Sequence, residues 1–151
     1  MRKKSVLILI LITLFSCSYK SQSVIENIFE NFSFNNTVSN STQIIIKTYD
    51  STTKKRGYIE SDILLKEFKT ENKQQIIDFD KIFVNAEKTD YCCCPISTYS
   101  IHFFDQKEEL DFFYVDTLEF KDKVRICENS FQYSYIIEKQ KWKDYLAEIE
   151  K

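Results

Sequence analysis

The chain has only one glycine, one proline and one histidine among its 151 residues. Phosphate-binding loops, dinucleotide-binding fingerprints and the nucleophile elbow of serine hydrolases each need glycines at fixed spacing. A His-Glu-x-x-His metalloprotease motif needs two histidines. The composition therefore excludes these catalytic templates, and we expect a protein that is not an enzyme.

Acidic side chains are plentiful, but they give no sign of a paired acid–base site. Asp78 and Asp80 lie in one charged run, and Glu108 and Glu109 lie in another. Catalytic carboxyl pairs occupy contrasting environments that separate their pKa values. We expect both of these runs to be solvated.

The sequence also contains no apolar run of about 18 residues, the length that a membrane-spanning helix needs. Its start nevertheless has the pattern of an export signal. Residues 2–4 are basic, and residues 6–15 form an apolar stretch of about ten residues. This pattern predicts a signal peptide over residues 1–16.

The tetrapeptide Leu14-Phe15-Ser16-Cys17 resembles the lipobox of bacterial lipoproteins, in which an aliphatic residue and two usually small residues precede a cysteine. Leu14, Ser16 and Cys17 match this pattern, whereas Phe15 is larger than usual. The resemblance implies cleavage before Cys17, a diacylglycerol on its sulfur and an N-acyl chain such as palmitate on its new amino group. An ordinary signal peptide with a coincidental cysteine is the alternative.

A lipid anchor would hold the protein at a membrane without a membrane-spanning helix. Each buried methylene contributes ~0.8 kcal/mol, so one acyl chain binds reversibly and two or three hold firmly. Ser18, rather than aspartate, follows the cysteine. By analogy with lipoprotein sorting, this favours the outer membrane of the cell envelope.

Removal of residues 1–16 leaves 135 residues, a length at which one domain can bury a real core. The remaining 18 basic and 23 acidic side chains give a net charge of −5, so we expect no nucleic-acid partner. Lysine, asparagine and isoleucine are abundant, as in proteins of AT-rich genomes. Together with the lipobox, this composition resembles the small lipoproteins of Bacteroidetes-type bacteria, whose activities are unassigned.

The mature chain is predicted to have two parts. Residues 17–42 form the lipidated N-terminus, in which 23–32 have the spacing of a short amphipathic helix and 33–42 form a polar linker. Residues 43–151 form a single α+β domain. We expect the short helix to dock on this domain, with the membrane surface as the alternative.

Apolar periodicity predicts six strands and two helices within the domain. The strands are 43–49, 58–68, 98–104, 110–116, 123–127 and 131–137, and the helices are 72–86 and 139–150. Asn72 is a candidate N-cap of the first helix. The order ββ-α-ββββ-α predicts an antiparallel sheet of about six strands with both helices packed on one face.

Four cysteines remain besides Cys17, and an even number in an exported protein favours disulfides. Neighbouring cysteines cannot pair without strain, because their Cα atoms lie ~3.8 Å apart and disulfides need about 4.4–6.8 Å. Side-chain alternation through Pro95 places Cys92 and Cys94 on the outward face, where Cys127 also lies. We therefore expect one bridge, from Cys127 to Cys92 or Cys94. A simple meander conflicts with it, because it puts Cys94 and Cys127 at opposite ends of the sheet.

A soft-metal site is the sharper alternative for these cysteines. Cys92 and Cys94 form a C-x-C dithiol, and thiolates select copper or zinc. His102 is the only histidine that could add a ligand, but a closed zinc site needs four ligands. A lone histidine in a strand is more typical of a polar surface position, and its pairing with Cys94 as a catalytic dyad is the third interpretation.

Two short motifs resemble the O-glycosylation acceptor of Bacteroidetes. Ser51 lies in Asp-Ser-Thr and Thr117 lies in Asp-Thr-Leu. Ordinary turn residues are the alternative for both.

Together, these features favour a lipid-anchored, non-enzymatic binding domain of the cell envelope that has a protein partner and no cofactor beyond its lipid. An immunity protein that neutralises a toxin belongs to this class. The alternative is a protein that binds a soft metal or performs thiol redox chemistry at Cys92 and Cys94.

Overall fold

The computed structural model of the protein describes residues 36–50, 63–90 and 95–150. Within these residues, the chain begins with a single helical turn at residues 36–40. It then forms seven strands, which make one sheet, and two helices. The elements are β1 (Gln43–Tyr49), β2 (Leu64–Thr70), α1 (Lys73–Lys81), β3 (Glu87–Thr89), β4 (Tyr99–Asp105), β5 (Glu108–Asp116), β6 (Lys123–Glu128), β7 (Ser134–Glu138) and α2 (Lys139–Ile149). The predicted signal peptide, the lipidated Cys17 and the amphipathic helix 23–32 lie outside the described residues.

The strand order is β2-β1-β4-β5-β6-β7-β3, and every neighbouring pair is antiparallel. Strands β4 to β7 form a meander, in which each strand lies beside the next in sequence. The chain leaves β2 at one edge of the sheet, continues through α1, and reaches β3 at the opposite edge. The predicted α+β class and antiparallel sheet are therefore confirmed.

Both helices pack on one face of the sheet and enclose the apolar core with it. The ring of Phe79 in α1 lies 5.3 Å from that of Phe103 in β4 and 5.3 Å from that of Tyr145 in α2. Trp142 of α2 lies 5.4 Å from Tyr99 of β4. Tyr99 and Phe103 share one face because strand side chains alternate. The sheet adds further buried apolar side chains: Ile44, Ile46, Ile101, Phe113, Val115, Val124 and Ile126.

Helix α1 begins as the sequence predicts and ends earlier. The Asn72 side-chain oxygen accepts hydrogen bonds from the backbone N–H groups of Gln74 (2.9 Å) and Gln75 (3.4 Å), which is N-cap geometry. The helix ends at Lys81 instead of continuing to residue 86. The chain then turns through Asn85, whose φ of 64° is left-handed and is better tolerated by asparagine than by most residues.

The strand β3 was missed by the sequence prediction, which gave six strands instead of seven. Its three residues, Glu87–Thr89, are too few to show an alternating apolar pattern. The predicted strand 58–68 overlaps β2, which extends from Leu64 to Thr70, and residues 51–62 lie outside the described part.

Candidate functional site

Three of the candidate lipidation, disulfide, metal and glycosylation residues predicted from the sequence fall in the described part of the chain. They are His102 in β4, Cys127 in β6 and Thr117 after β5. The others, Cys17, Ser51, Cys92 and Cys94, lie outside it. His102 and Cys127 lie on the sheet face opposite the helices, which we call the polar face.

The polar face is buried at His102, contrary to the expectation of a surface position. Ser100 has no exposed surface, and only 8% of His102 is exposed. The imidazole stacks on Phe112, at 5.8 Å and 18° between the rings, and faces Phe104 at 6.5 Å and 25°. Side-chain alternation correctly placed Ser100 and His102 on the opposite face of β4 from Ile101. It could not show that both faces of this strand are buried.

A continuous hydrogen-bonded chain crosses three strands on the polar face. The hydroxyl oxygens of Tyr49 in β1 and Ser100 in β4 are 3.0 Å apart. Ser100 Oγ lies 2.7 Å from His102 Nε2, and His102 Nδ1 lies 2.5 Å from a carboxylate oxygen of Glu109 in β5. We call these four residues the polar chain.

When the imidazole of His102 is neutral, the hydrogen-bonding capacity of Glu109 determines which atom donates in each bond of the polar chain. The ionised Glu109 carboxylate can only accept, so Nδ1 of His102 carries the proton. The other ring nitrogen, Nε2, then accepts from the Ser100 hydroxyl, and Ser100 in turn accepts from Tyr49. Each member is satisfied, and the chain links β1, β4 and β5.

The serine–histidine–carboxylate order is also that of a catalytic triad. A reactive serine must reach its substrate, however, and Ser100 has no exposed surface. Its hydroxyl is already bonded to both Tyr49 and His102. We therefore interpret the polar chain as structural.

Cys127 lies on the predicted face but is fully buried there. It packs with Tyr114, and the rings of Phe112 and Phe131 contact this small cluster. Phe131 stacks on Tyr114 at 5.4 Å and 11°. The predicted solvent exposure of Cys127 is therefore wrong, because aromatic rings cover it.

The register of the sheet removes the conflict that opposed a Cys127 bridge. Of the residues of β5, only Phe113–Asp116 pair with β6. Cys127 is therefore opposite Tyr114, and Tyr114 is opposite Ser100 of β4. Cys127 therefore lies near the start of β4 and not at its far end. Because Cys92 and Cys94 lie outside the described residues, the bridge stays a prediction.

The proposed metal ligands are not assembled in the described part. No group of three or more His, Cys, Asp or Glu side chains within residues 36–50, 63–90 and 95–150 is arranged to hold a metal ion. Both nitrogens of His102 are within hydrogen-bonding distance of Ser100 and Glu109. The set of Cys92, Cys94 and His102 stays a prediction.

Thr117, the described glycosylation candidate, is partly buried. Its hydroxyl lies 3.0 Å from that of Thr98, and its backbone N–H donates to Thr98 Oγ1 at 3.2 Å. The nearby Asp116 carboxylate accepts from the backbone N–H groups of Ile96, Leu118 and Glu119 at 2.8–3.0 Å. These contacts hold the turn together, and no sugar is implied by them.

Burial raises the pKa of Asp111 in β5, two residues beyond Glu109. A hydrogen bond from the Phe112 backbone N–H (2.8 Å) lowers the pKa of Asp111, but by less than burial raises it. Asn129 also donates to this carboxylate at 3.1 Å. Folding therefore favours the protonated form of this group.

Arg125 fills the other half of the polar face. Its guanidinium donates to both carboxylate oxygens of Glu119, at 2.6 and 2.8 Å, and to the hydroxyls of Thr89 and Ser134, each at 2.9 Å. The ring of Phe120 lies 5.4 Å from it. These contacts tie β3, β6 and β7 together.

A cleft of about 460 Å³ lies between the helical turn and α1. Val38 and Ile76 form its buried apolar part. Two of its polar residues are bonded within the fold, Thr42 to the Gln106 backbone N–H and Glu71 to Gln43.

Among the described strands, β2 lies at one edge of the sheet, and its start has an exposed apolar cluster that sequence analysis did not single out. Ile63, Leu64 and Leu65 are 51%, 49% and 62% exposed, and they are consecutive. Other exposed apolar side chains of the described residues, such as Val84 and Leu118, occur singly. Contiguous apolar exposure marks interaction surfaces more often than single exposed residues do. We call these three residues the apolar edge patch.

Two charged side chains of β2 are paired within the domain. Lys66 pairs with Glu150 of α2 and lies 4.4 Å from the Phe68 ring. Lys69 lies 2.8 Å from Glu71. The signal in the sequence was the run Ile-Leu-Leu at a strand start, but only the strand order shows that it lies at an edge.

No protein-family model matches the chain, and no curated protein matches it. Among solved structures, a thioesterase-like protein from Clostridium sporogenes is similar in fold, with a TM-score of 0.43 and 13% identity. The match covers 72% of this chain and 93% of that one. A likeness of this level carries no argument about activity. Within the described residues, no helix is long and apolar enough to cross a membrane.

Proposed function

We propose that this chain is a lipid-anchored protein of the cell envelope whose folded unit binds another protein and catalyses no reaction. The apolar edge patch carries this proposal, because three consecutive large apolar side chains are about half exposed at the start of β2, which lies at one edge of the described sheet. Burial of apolar surface contributes about 25 cal/mol per Å², so a partner that covers the patch gains free energy. The lipobox supports the anchor.

The anchor is tested with Cys17→Ser in the full chain. We expect the wild-type chain to take up a labelled fatty acid and to sediment with the outer membrane, and the variant to do neither. Cys92→Ser is the matched control, since it removes a thiol but leaves the lipobox intact. A Cys17→Ser chain that still sediments with lipid contradicts the anchor.

The binding surface is tested by a photo-crosslinking amino acid placed at Leu65 in cells that express the full chain. We expect a discrete protein adduct from this position. Leu118, which is 54% exposed on the turn after β5, is the matched control and should give none. Adducts of equal yield from both positions would contradict binding at the patch.

The alternative interpretation, soft-metal binding or thiol redox chemistry at Cys92 and Cys94, stays a prediction. Native mass spectrometry with thiol counting tests it directly. A chain that carries no copper or zinc and shows no reactive thiol removes this alternative.

A further inference from the structure

We propose that the helix face of the sheet binds an internal water molecule beside Tyr99, held by the indole N–H of Trp142 and by the hydroxyls of Thr48 and Ser97. This water joins helix α2 to strand β1 and to the start of β4. The inference depends neither on the proposed protein partner nor on the lipid anchor.

Three side-chain atoms of this region are buried and have no hydrogen-bond partner within the described part of the chain. They are Thr48 Oγ1, Ser97 Oγ and Trp142 Nε1. Ser97 has no exposed surface, and Trp142 is 1% exposed. Most buried polar atoms in folded proteins are bonded to other protein groups or to ordered water, because an unpaired buried donor or acceptor is costly. Each of these three atoms therefore needs a partner.

The three side chains surround Tyr99. Thr48 of β1 is directly opposite Tyr99 of β4, and Ser97 precedes Tyr99 by two residues. Strand alternation therefore places Thr48, Ser97 and Tyr99 on the helix face. From the helix layer, the indole of Trp142 packs edge to face against the Tyr99 ring, at 5.4 Å and 82°.

The backbone beside Ser97 is fixed by the sheet on both sides. The carbonyl of Thr98 accepts a hydrogen bond from the Tyr49 backbone N–H at 3.0 Å, and the Thr98 N–H donates to the carbonyl of Val115 at 2.7 Å. The pairing of β1 with β4 therefore continues past Tyr99 toward Ser97.

This pairing makes Thr48 and Ser97 diagonal neighbours across two strands. Residues in that relation lie about 7–8 Å apart, which is long for a direct bond between two short hydroxyl side chains. A water bonded to both oxygens spans about 5.5 Å, since each O–H···O bond is about 2.7–2.8 Å long. A bridging water therefore suits their separation better than a direct bond does.

The chemistry of the three groups selects water instead of an ion. The indole N–H of Trp142 can only donate, whereas a hydroxyl can donate or accept. Water accepts from the indole and can still donate to a hydroxyl oxygen. The charged Lys66, opposite Thr48 in β2, is already paired with Glu150, so it does not offer its charge to an ion. Burial raises the pKa of the Tyr99 hydroxyl, as expected for a region shielded from bulk solvent.

The test uses the isotope-labelled full-length chain in detergent micelles. Trp142 is the only tryptophan, so its indole N–H is assigned without ambiguity. We expect cross-peaks between this N–H and water in both NOESY and ROESY spectra. Their signs should be opposite, which distinguishes a bound water from exchange of the indole proton.

The hydroxyls are tested with Thr48→Val and Ser97→Ala. Each single variant leaves the water two partners, so the cross-peak should keep about half of its intensity or more. The double variant leaves only the indole, and the cross-peak should fall about fivefold, because internal waters have about three partners. Thr117→Val is the matched control and should change nothing, since the Thr117 hydroxyl lies beside that of Thr98.

Three results would overturn the inference. The first is a wild-type spectrum without the water cross-peak. The second is a cross-peak that disappears in one single variant and is unchanged in the other, since this indicates proton relay through one hydroxyl. The third is a cross-peak of full intensity in the double variant, because the hydroxyls then do not hold the water.

Discussion

The two faces of the sheet are both buried around β4, but different chemistry holds each of them. On the helix face, Phe79 meets Phe103 and Tyr145 edge to face. On the polar face, Ser100 and His102 are held by directional hydrogen bonds. Apolar burial is non-directional, whereas a hydrogen-bonded chain loses its value when one member is missing. The helix face therefore sets most of the free energy of unfolding, and the polar face fixes the register of β1, β4 and β5.

The largest expected effect is on the helix face. Phe79→Ala should lower the free energy of unfolding by about 3–5 kcal/mol, because it leaves a cavity between both helices and the sheet. Denaturant titration measures the loss. Val84→Ala is the control, since Val84 is 58% exposed and should change the free energy by no more than about 0.5 kcal/mol. Equal effects of the two variants would contradict this description of the core.

A smaller loss is expected on the polar face. His102→Phe keeps a ring against Phe112 but leaves Ser100 and Glu109 without their shared partner, which should cost about 1–3 kcal/mol. Glu108→Gln, next to Glu109, should change the free energy of unfolding little. If His102→Phe stabilises the protein, the polar chain does not contribute to stability as we describe.

The turn between β4 and β5 offers a gain. Gln106 has a φ of 54°, which costs a residue with a Cβ about 1 kcal/mol. Gln106→Gly should raise the free energy of unfolding by up to about 1 kcal/mol, and the hydrogen bond from its backbone N–H to Thr42 is kept. Lys107→Gly, at the neighbouring turn position without a positive φ, should be neutral or destabilising. If Lys107→Gly raises the melting temperature more than Gln106→Gly does, this interpretation of the turn is contradicted.

The smallest expected effect is a pH dependence beside the polar chain. Burial raises the pKa of Asp111 above its usual 3.8, so the folded protein binds more protons than the unfolded chain just above that pH. Stability should therefore fall as the pH rises through the window from 3.8 to the raised value. Asp111→Asn should remove this slope. Denaturant titrations of both proteins at several pH values measure it.

Asp78 provides a control of opposite sign. Its hydrogen bond with Lys81 lowers the pKa of Asp78 below 3.8, so its contribution to stability is lost as the pH falls. Asp78→Asn should therefore flatten the acid side of the profile. An Asp111→Asn profile with an unchanged slope would contradict the assignment to Asp111.

Most elements could be predicted from the sequence because their signals are local. The alternation in β4 and β5 and the spacing of Trp142 and Tyr145 are readable within a few residues. The place of β1 beside β4 and of β3 beside β7 could not be predicted, because these pairings join segments far apart in the chain.

The polar chain was missed for a related reason. The spacing of Ser100 and His102 places both on one strand face, and this signal was available. Glu109 was predicted to lie in a solvated charged run, and only the register shift between Phe103 and Phe104 aligns it with the His102 side of the sheet. Tyr49 joins them through the long-range pairing of β1 with β4. Side-chain alternation shows which residues share a face, but it does not show what covers that face.

The position of β1 between β2 and β4 also has a consequence for synthesis. The backbone N–H of Thr42, at the entry to β1, donates to the carbonyl of Phe104, 62 residues later. Ribosomes add about 5–20 residues per second, so β1 waits several seconds for its second neighbour. Its three consecutive isoleucines, Ile44, Ile45 and Ile46, stay incompletely paired during that time. Assembly of the sheet around β1 is therefore delayed until β4 has been made.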